Sequence, residues 1–133
     1  MDSAARSCFF IGHRHAEERI YEKLLTAVET HISTYGVTDF LVGHYGDFDR
    51  MAARAVAEAR RTHPGISLTM LLPYYPEDRA ISVPPIFDGT FYPPDMELCD
   101  YLIAYVTGIG KSRDFLSYAE RKGVPICNLG ASD

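Results

Sequence analysis

The sequence predicts an α/β fold in which about five mainly parallel strands carry helices on both faces of the sheet. Short, nearly continuous apolar runs alternate with segments whose apolar residues recur at helical spacing. Runs of this kind are typical of parallel strands that are buried on both faces and joined by helical crossovers. The length of 133 residues is typical of one domain, so we predict a single Rossmann-like domain over residues 1–133.

Five apolar runs supply the strands, and each ends at a residue that favours a turn or a loop. They are Ser7–Ile11, Thr38–Val42, Ile66–Leu72, Tyr101–Val106 and Val124–Leu129. The default strand order for such a sheet is 3-2-1-4-5. That order places a ligand crevice outside the carboxyl ends of the first and fourth strands.

Three helical segments lie between these strands. Ala16–Tyr35 has one apolar face and is followed by Gly36, a typical helix-ending glycine. The second helix is predicted to start from an N-cap at Asp47, and the third to run from Ser112 to Gly123.

The stretch from Tyr74 to about Met96 is rich in proline and aromatic residues and shows no clear periodicity. A loop of this length is uncommon in a compact domain and is often functional. We expect that it contains a short helix or strand near Ile86–Phe87. Exposed aromatic residues also favour interfaces, so a protein-interaction role for Pro73–Pro94 stays open.

Composition excludes several classes of function. A formal net charge of −5 argues against broad binding to a nucleic-acid backbone. No apolar run has the roughly 18–20 residues of a membrane helix, and the first residues lack the pattern of a signal peptide. The three cysteines form no C-x-x-C pair, which favours reduced, buried thiols. We therefore expect a cytoplasmic protein with no membrane or nucleic-acid partner, and a homodimer is possible.

Three turns that follow predicted strands carry the candidate site. Each combines glycine with polar residues just before a helix, a setting that suits phosphate or ribose because backbone N–H groups are exposed there. A surface turn with no ligand explains each one alone nearly as well. The candidate ligand-binding residues are Gly12, His13, Arg14, Gly43, His44, Gly46, Asp47, Thr107, Gly108, Gly110, Lys111 and Ser112, with Tyr74 as a residue that stacks on a base or packs.

The third turn ends in G-K-S, but it is not a P-loop, because Tyr105 stands where the first glycine of that motif is required. The histidines His13, His15 and His44 are of the type that binds zinc. Their spacing matches no metal motif, and we predict neither a metal nor a cofactor.

Several segments together resemble the YpsA-like branch of the SLOG (SMF/DprA–LOG) superfamily. They are C-F-F-I-G-H-R at Cys8–Arg14, F-L-V-G-H-Y-G-D-F-D at Phe40–Asp49, M-L-L-P-Y at Met70–Tyr74, C-D-Y-L-I-A-Y-V at Cys99–Val106 and Y-A-E-R-K-G-V-P-I-C-N-L at Tyr118–Leu129. The resemblance implies a Rossmann-like fold and a nucleotide or nucleotide-derived ligand.

Related LOG phosphoribohydrolases cleave the N-glycosidic bond of nucleoside monophosphates and carry the pattern P-G-G-x-G-T-x-x-E. In the matching stretch, Val106–Asp114, the glycines Gly108 and Gly110 are kept, whereas Lys111 replaces the threonine and Asp114 the glutamate. Because of these two replacements, the resemblance favours a sensor-like domain that binds a nucleotide or a nucleotide derivative as the leading hypothesis. The alternative is a phosphoribohydrolase in which Asp114 stabilises the cationic sugar and Arg14 holds the phosphate.

Overall fold

The computed structural model describes residues 6–13, 15–43, 46–71, 85–91, 100–106, 117 and 119–130. Its strands are β1 (Ser7–Gly12), β2 (Asp39–Val42), β3 (Ser67–Leu71), β4 (Gly89–Phe91), β5 (Tyr101–Tyr105) and β6 (Ile126–Asn128). Its two full helices are α1 (Tyr21–Ser33) and α2 (Asp47–Ala59), and a short 3₁₀ helix, Glu18–Ile20, precedes α1.

The described strands form one sheet in the order β4-β3-β2-β1-β5-β6, and every neighbouring pair is parallel. The five strands predicted from sequence are β1, β2, β3, β5 and β6, so their predicted order is confirmed. The chain moves outward from β1 in one direction through β2, and in the other through β5. This reversal at β1 is the switch point of a Rossmann-like α/β sheet.

The two faces of the sheet are buried by different helices. Cys8 and Phe10 of β1 pack in the same buried cluster as residues of α1 and α2. Phe9, between them, points to the opposite face, where it shares a cluster with Ala119. Ala119 belongs to the helical residues 117 and 119–121 between β5 and β6, so the predicted cover on both faces is confirmed.

Two glycines end helical segments in the left-handed region, as expected of helix-ending glycines. Gly36 after α1 has φ of +71° and Gly123 has φ of +80°. At the other end, α1 begins at Tyr21 and not at the predicted Ala16. The reason is packing: among residues 16–20, only Ile20 is buried.

The strand β4 lies within the stretch predicted as a long loop, three residues beyond the expected position near Ile86. Its sequence, Gly-Thr-Phe after an aspartate, gives only a short and mixed strand signal, because threonine and phenylalanine favour strands whereas glycine and aspartate do not. Asp88 connects it to the sheet, because its side chain accepts from Leu68 N–H at 2.8 Å and from Arg60 at 2.7 Å. Pairing with β3 therefore determines this strand.

A side-chain cluster joins α1 to α2. The hydroxyl of Tyr21 donates to Glu58 Oε1 at 2.6 Å, and the guanidinium of Arg54 lies 4.1 Å from the centre of the Tyr21 ring. Burial, together with the hydrogen bond to Glu58, raises the pKa of Tyr21 to about 12. Within the described ranges, no helix has both the length and the apolar character needed to cross a membrane.

Candidate functional site

The candidate site lies at the carboxyl edge of the sheet, where β1 and β5 end side by side. Gly12 is in register with Tyr105, and His13 N–H donates to the Tyr105 carbonyl at 3.3 Å. The His13 ring meets the Tyr105 ring edge-on at 5.8 Å between centroids. The carboxyl ends of β1 and β5 therefore lie side by side, as the predicted strand order requires.

The start of α2 packs directly against this point. Phe48 is fully buried, and its ring lies 6.0 Å from the Tyr105 ring and 6.4 Å from the Phe10 ring, centroid to centroid. A Cβ atom at Gly12 would lie 2.4 Å from Phe48 Cδ2. Gly12 is thus required for packing against Phe48, a role different from the predicted close approach to a ligand.

The turn after β2 brings a helix N-terminus to the same edge. The helix begins at Asp47, and the N-cap position is occupied by Gly46. The predicted N-cap at Asp47 is therefore wrong by one residue, because Gly46 has the extended backbone of an N-cap, with φ of −159° and ψ of −163°. Asp47 and Asp49 lie in the first turn, where negatively charged carboxylates interact favourably with the positive end of the helix dipole.

Asp47 is held by two neighbouring side chains. It forms an ion pair with Arg50, and its Oδ2 lies 3.8 Å from His15 Nδ1. Its side chain nevertheless keeps 37% of its surface exposed. Arg50 also lines a shallow depression of about 350 Å³, whose other walls include Glu18 and Arg54, an ion pair at 2.8 Å.

Gly43, at the end of β2, lies against the second acidic residue of this turn. A Cβ atom at Gly43 would lie 3.0 Å from Asp49 Oδ2. Neither Gly43 nor Gly46 has positive φ, so neither is needed for a left-handed backbone. The glycine at position 43 leaves room for the Asp49 carboxylate.

The structure thus brings together five of the predicted site residues: Gly12, His13, Gly43, Gly46 and Asp47. The remaining ones lie outside the described residues: Arg14, His44, Tyr74, Thr107, Gly108, Gly110, Lys111, Ser112 and Asp114. No group of three or more histidine, cysteine or carboxylate side chains lies close enough to hold a metal ion within the described part of the chain.

A larger cavity of about 810 Å³ lies between α1 and β6. Its lining includes His31 of α1, Tyr35 just after this helix, Tyr101 of β5 and Cys127 of β6. His31 Nδ1 is 2.7 Å from the Ala27 carbonyl, and burial lowers the pKa of this histidine. Burial also raises the pKa of the Cys127 thiol. The neutral forms of both side chains are therefore favoured. The cavity itself was not predicted from the sequence.

Three residues at the carboxyl edge were missed from the sequence: Phe48, Tyr105 and Asn128. Phe48 and Tyr105 were missed because nothing in a sequence shows which core residue borders a crevice. Asn128 carried a usable signal, since asparagine is depleted in strands and stands here inside an apolar run. Its side chain makes hydrogen bonds to both backbone groups of Val106.

No protein-family model and no curated protein matches this chain.

Proposed function

We propose that this domain binds a nucleotide or a nucleotide derivative at the carboxyl edge of its sheet, as a sensor-like domain. The observation that carries the proposal is the register of Gly12 with Tyr105 at the switch point, with the start of α2 packed against it. In open parallel sheets, ligands bind outside the strand ends at this point. The resemblance to the YpsA-like branch of the SLOG superfamily supports a nucleotide as the ligand.

The charges at this edge suggest how such a ligand is oriented. Asp47 is partly exposed and Asp49 lies in the same first turn of α2, so a phosphate at this helix start would meet negative charge. A carboxylate accepts hydrogen bonds from ribose hydroxyls. We therefore assign the ribose to Asp47, and the phosphate to Arg14 and to the Thr107–Ser112 turn with Lys111.

Titration with AMP and with adenosine, followed by calorimetry and by thermal unfolding, tests this assignment. Lys111→Ala should weaken AMP binding by about 10- to 100-fold and leave adenosine binding unchanged, since a hydrogen bond to a charged group contributes about 1.5–3 kcal/mol. Lys23→Ala is the matched control, because it removes a lysine that lines the cavity between α1 and β6. Asp47→Asn should weaken both ligands.

Two results would reject the proposal. The first is that no nucleotide raises the melting temperature at millimolar concentration. The second is that Lys111→Ala affects AMP no more than Lys23→Ala does. Chromatography of the AMP incubation separates binding from hydrolysis: release of free adenine that is lost in Asp114→Asn would assign the phosphoribohydrolase activity instead.

A further inference from the structure

The rings of His31, Tyr35 and Tyr101 form an aromatic wall in the cavity between α1 and β6. The Tyr35 ring stacks on the Tyr101 ring at 5.2 Å between centroids, and the His31 ring meets both edge-on, at 5.0 Å and 5.7 Å. Arg6 donates from Nη1 to the Tyr35 carbonyl at 2.8 Å and to the Tyr101 hydroxyl at 3.2 Å. Contacts within the chain therefore fix the wall, so a bound molecule would not have to order it.

His31 supplies one polar atom to this cavity. The residue is only 4% exposed, and its Nδ1 lies 2.7 Å from the Ala27 carbonyl. A carbonyl only accepts hydrogen bonds, so Nδ1 carries the proton and Nε2 of the neutral ring, which burial favours by lowering the pKa, is an acceptor.

The acceptor Nε2 of His31 makes no hydrogen bond within the described part of the chain. Among the described residues, the only inaccessible side-chain nitrogen or oxygen without a hydrogen bond is Thr38 Oγ1. Since Nε2 also lacks a hydrogen bond, it must be accessible, and the cavity is the space that His31 lines. A buried side chain thus presents an unpaired acceptor to the cavity.

The rest of the lining is mainly apolar and includes Ala27, Ile126 and Leu129. The volume of about 810 Å³ lies within the range of about 300–1,000 Å³ for small-molecule sites, which combine apolar walls with a few polar groups. The charged lining residues Glu22 and Lys23 have opposite signs, so the lining has no net charge while His31 is neutral. These properties favour a neutral ligand.

We propose that this cavity binds a small, neutral aromatic molecule that packs against Tyr35 and donates one hydrogen bond to His31 Nε2. Tyr35 is 40% exposed, so part of the aromatic wall remains open to a second ring. Rings of the indole and phenol type have the required chemistry, a flat apolar body with one N–H or O–H donor. Tyr101 and Tyr105 begin and end β5, and four residues of strand span about 13 Å, which separates the aromatic wall from the edge proposed for the nucleotide.

Indole and 1-methylindole test the hydrogen bond, because the methyl group removes the N–H donor and keeps the ring. His31→Phe keeps a ring of similar size and removes the acceptor. Calorimetry of both ligands with both proteins gives four dissociation constants, and a loss of binding common to the two ligands cancels. The ratio of the constants for 1-methylindole and indole should be about five- to tenfold larger in the wild type than in His31→Phe, as expected for one neutral hydrogen bond.

A second variant tests the aromatic wall. Tyr35→Ala should weaken both ligands by about three- to tenfold, because an aromatic contact is lost. Ile86→Ala is the matched control, since Ile86 is 42% exposed and does not line the cavity. In amide ¹H–¹⁵N spectra of the wild type, indole should shift the signals of His31 and Cys127 and leave that of Gly12 unchanged.

Three results would overturn this proposal: no indole binding at millimolar concentration, an equal ratio of the constants in the wild type and His31→Phe, or shifts that centre on Gly12. A wild-type dimer that becomes a monomer in Tyr35→Ala and binds no indole would assign the cavity to a second copy of the chain instead. Indole binding of the expected pattern in a protein that binds no nucleotide would support this site and reject the proposed function alone.

Discussion

Replacing Gly12 with alanine tests how the carboxyl edge is built. The new Cβ atom would lie 2.4 Å from Phe48 Cδ2 and 2.5 Å from Phe48 Cγ, whereas carbon atoms pack at about 3.5–4.0 Å. The Phe48 ring has little room to retreat, since it is fully buried and borders the rings of Phe10 and Tyr105. The substitution therefore forces a shift of the aromatic core.

The magnitude follows from the cost of overpacking, which is about 1–3 kcal/mol. An overlap of more than about 1 Å against a fixed ring belongs at the upper end of that range, so we expect a loss of about 3 kcal/mol. For a domain of this size, 1 kcal/mol corresponds to about 4 °C in melting temperature, and the expected fall is about 12 °C.

Urea unfolding of a double-mutant cycle checks the cause. Phe48→Ala alone should cost about 3–5 kcal/mol. Adding Gly12→Ala to it should cost little more, because the clashing ring is gone. Gly65→Ala is the control, since a Cβ atom there has nothing within 4 Å, and it should change stability by less than about 0.5 kcal/mol. Strictly additive effects at Gly12 and Phe48, or a Gly12→Ala variant as stable as Gly65→Ala, would refute the reasoning.

Three further predictions concern the interior. Burial lowers the pKa of His31, so the unfolded chain takes up a proton at a higher pH than the folded chain does, and the free energy of unfolding should fall as the pH drops below about 6.5. In urea unfolding at several pH values, His31→Leu should show a smaller fall over this range, and an equal fall in both proteins would contradict the prediction. Thr38→Val should be neutral or stabilising by up to about 1 kcal/mol in thermal unfolding, because Thr38 Oγ1 is buried without a hydrogen-bond partner in the described part of the chain; a clear loss would contradict it. Tyr21→Phe should lower the free energy of unfolding by about 1 kcal/mol, because the hydrogen bond to Glu58 is lost. In ultraviolet titration, the wild type should show one tyrosine that ionises near pH 12 and that the variant lacks; if the tyrosine lost from the variant ionises near pH 10, the prediction is contradicted.

The elements that sequence analysis located share one property: their own residues carry the signal. The apolar runs of β1, β2, β3 and β5 and the apolar face of α2 each stand out within a few residues, and Gly36 ends its helix because glycine alone adopts positive φ without strain. The strand β4 has no such signal. Its place depends on the bonds that the adjacent Asp88 accepts from Arg60 and Leu68, which come from distant parts of the chain, and on pairing with β3.

The same distinction applies to the candidate site. Glycine and polar residues after a strand marked the turns, and the sheet order brought Gly12, Gly43 and Asp47 to one edge. The packing at these glycines was not predicted: Phe48 fills the space at Gly12 and Asp49 the space beside Gly43. Which side chain occupies the room that a glycine leaves is a matter of packing between elements, which no local pattern encodes.

By itself, the sequence determined that this protein is an α/β domain with a parallel sheet, in which Gly12 and Gly43 stand at the carboxyl ends of neighbouring strands. Periodicity and turn residues suffice for that conclusion, because secondary structure depends on neighbours within a few positions and a helical crossover between two strands makes them parallel. Only the tertiary structure decided that Phe48 rests on Gly12 and that Asn128 holds Val106 at the exit of β5. These contacts join residues 36 and 22 positions apart, and only the folded sheet brings them together.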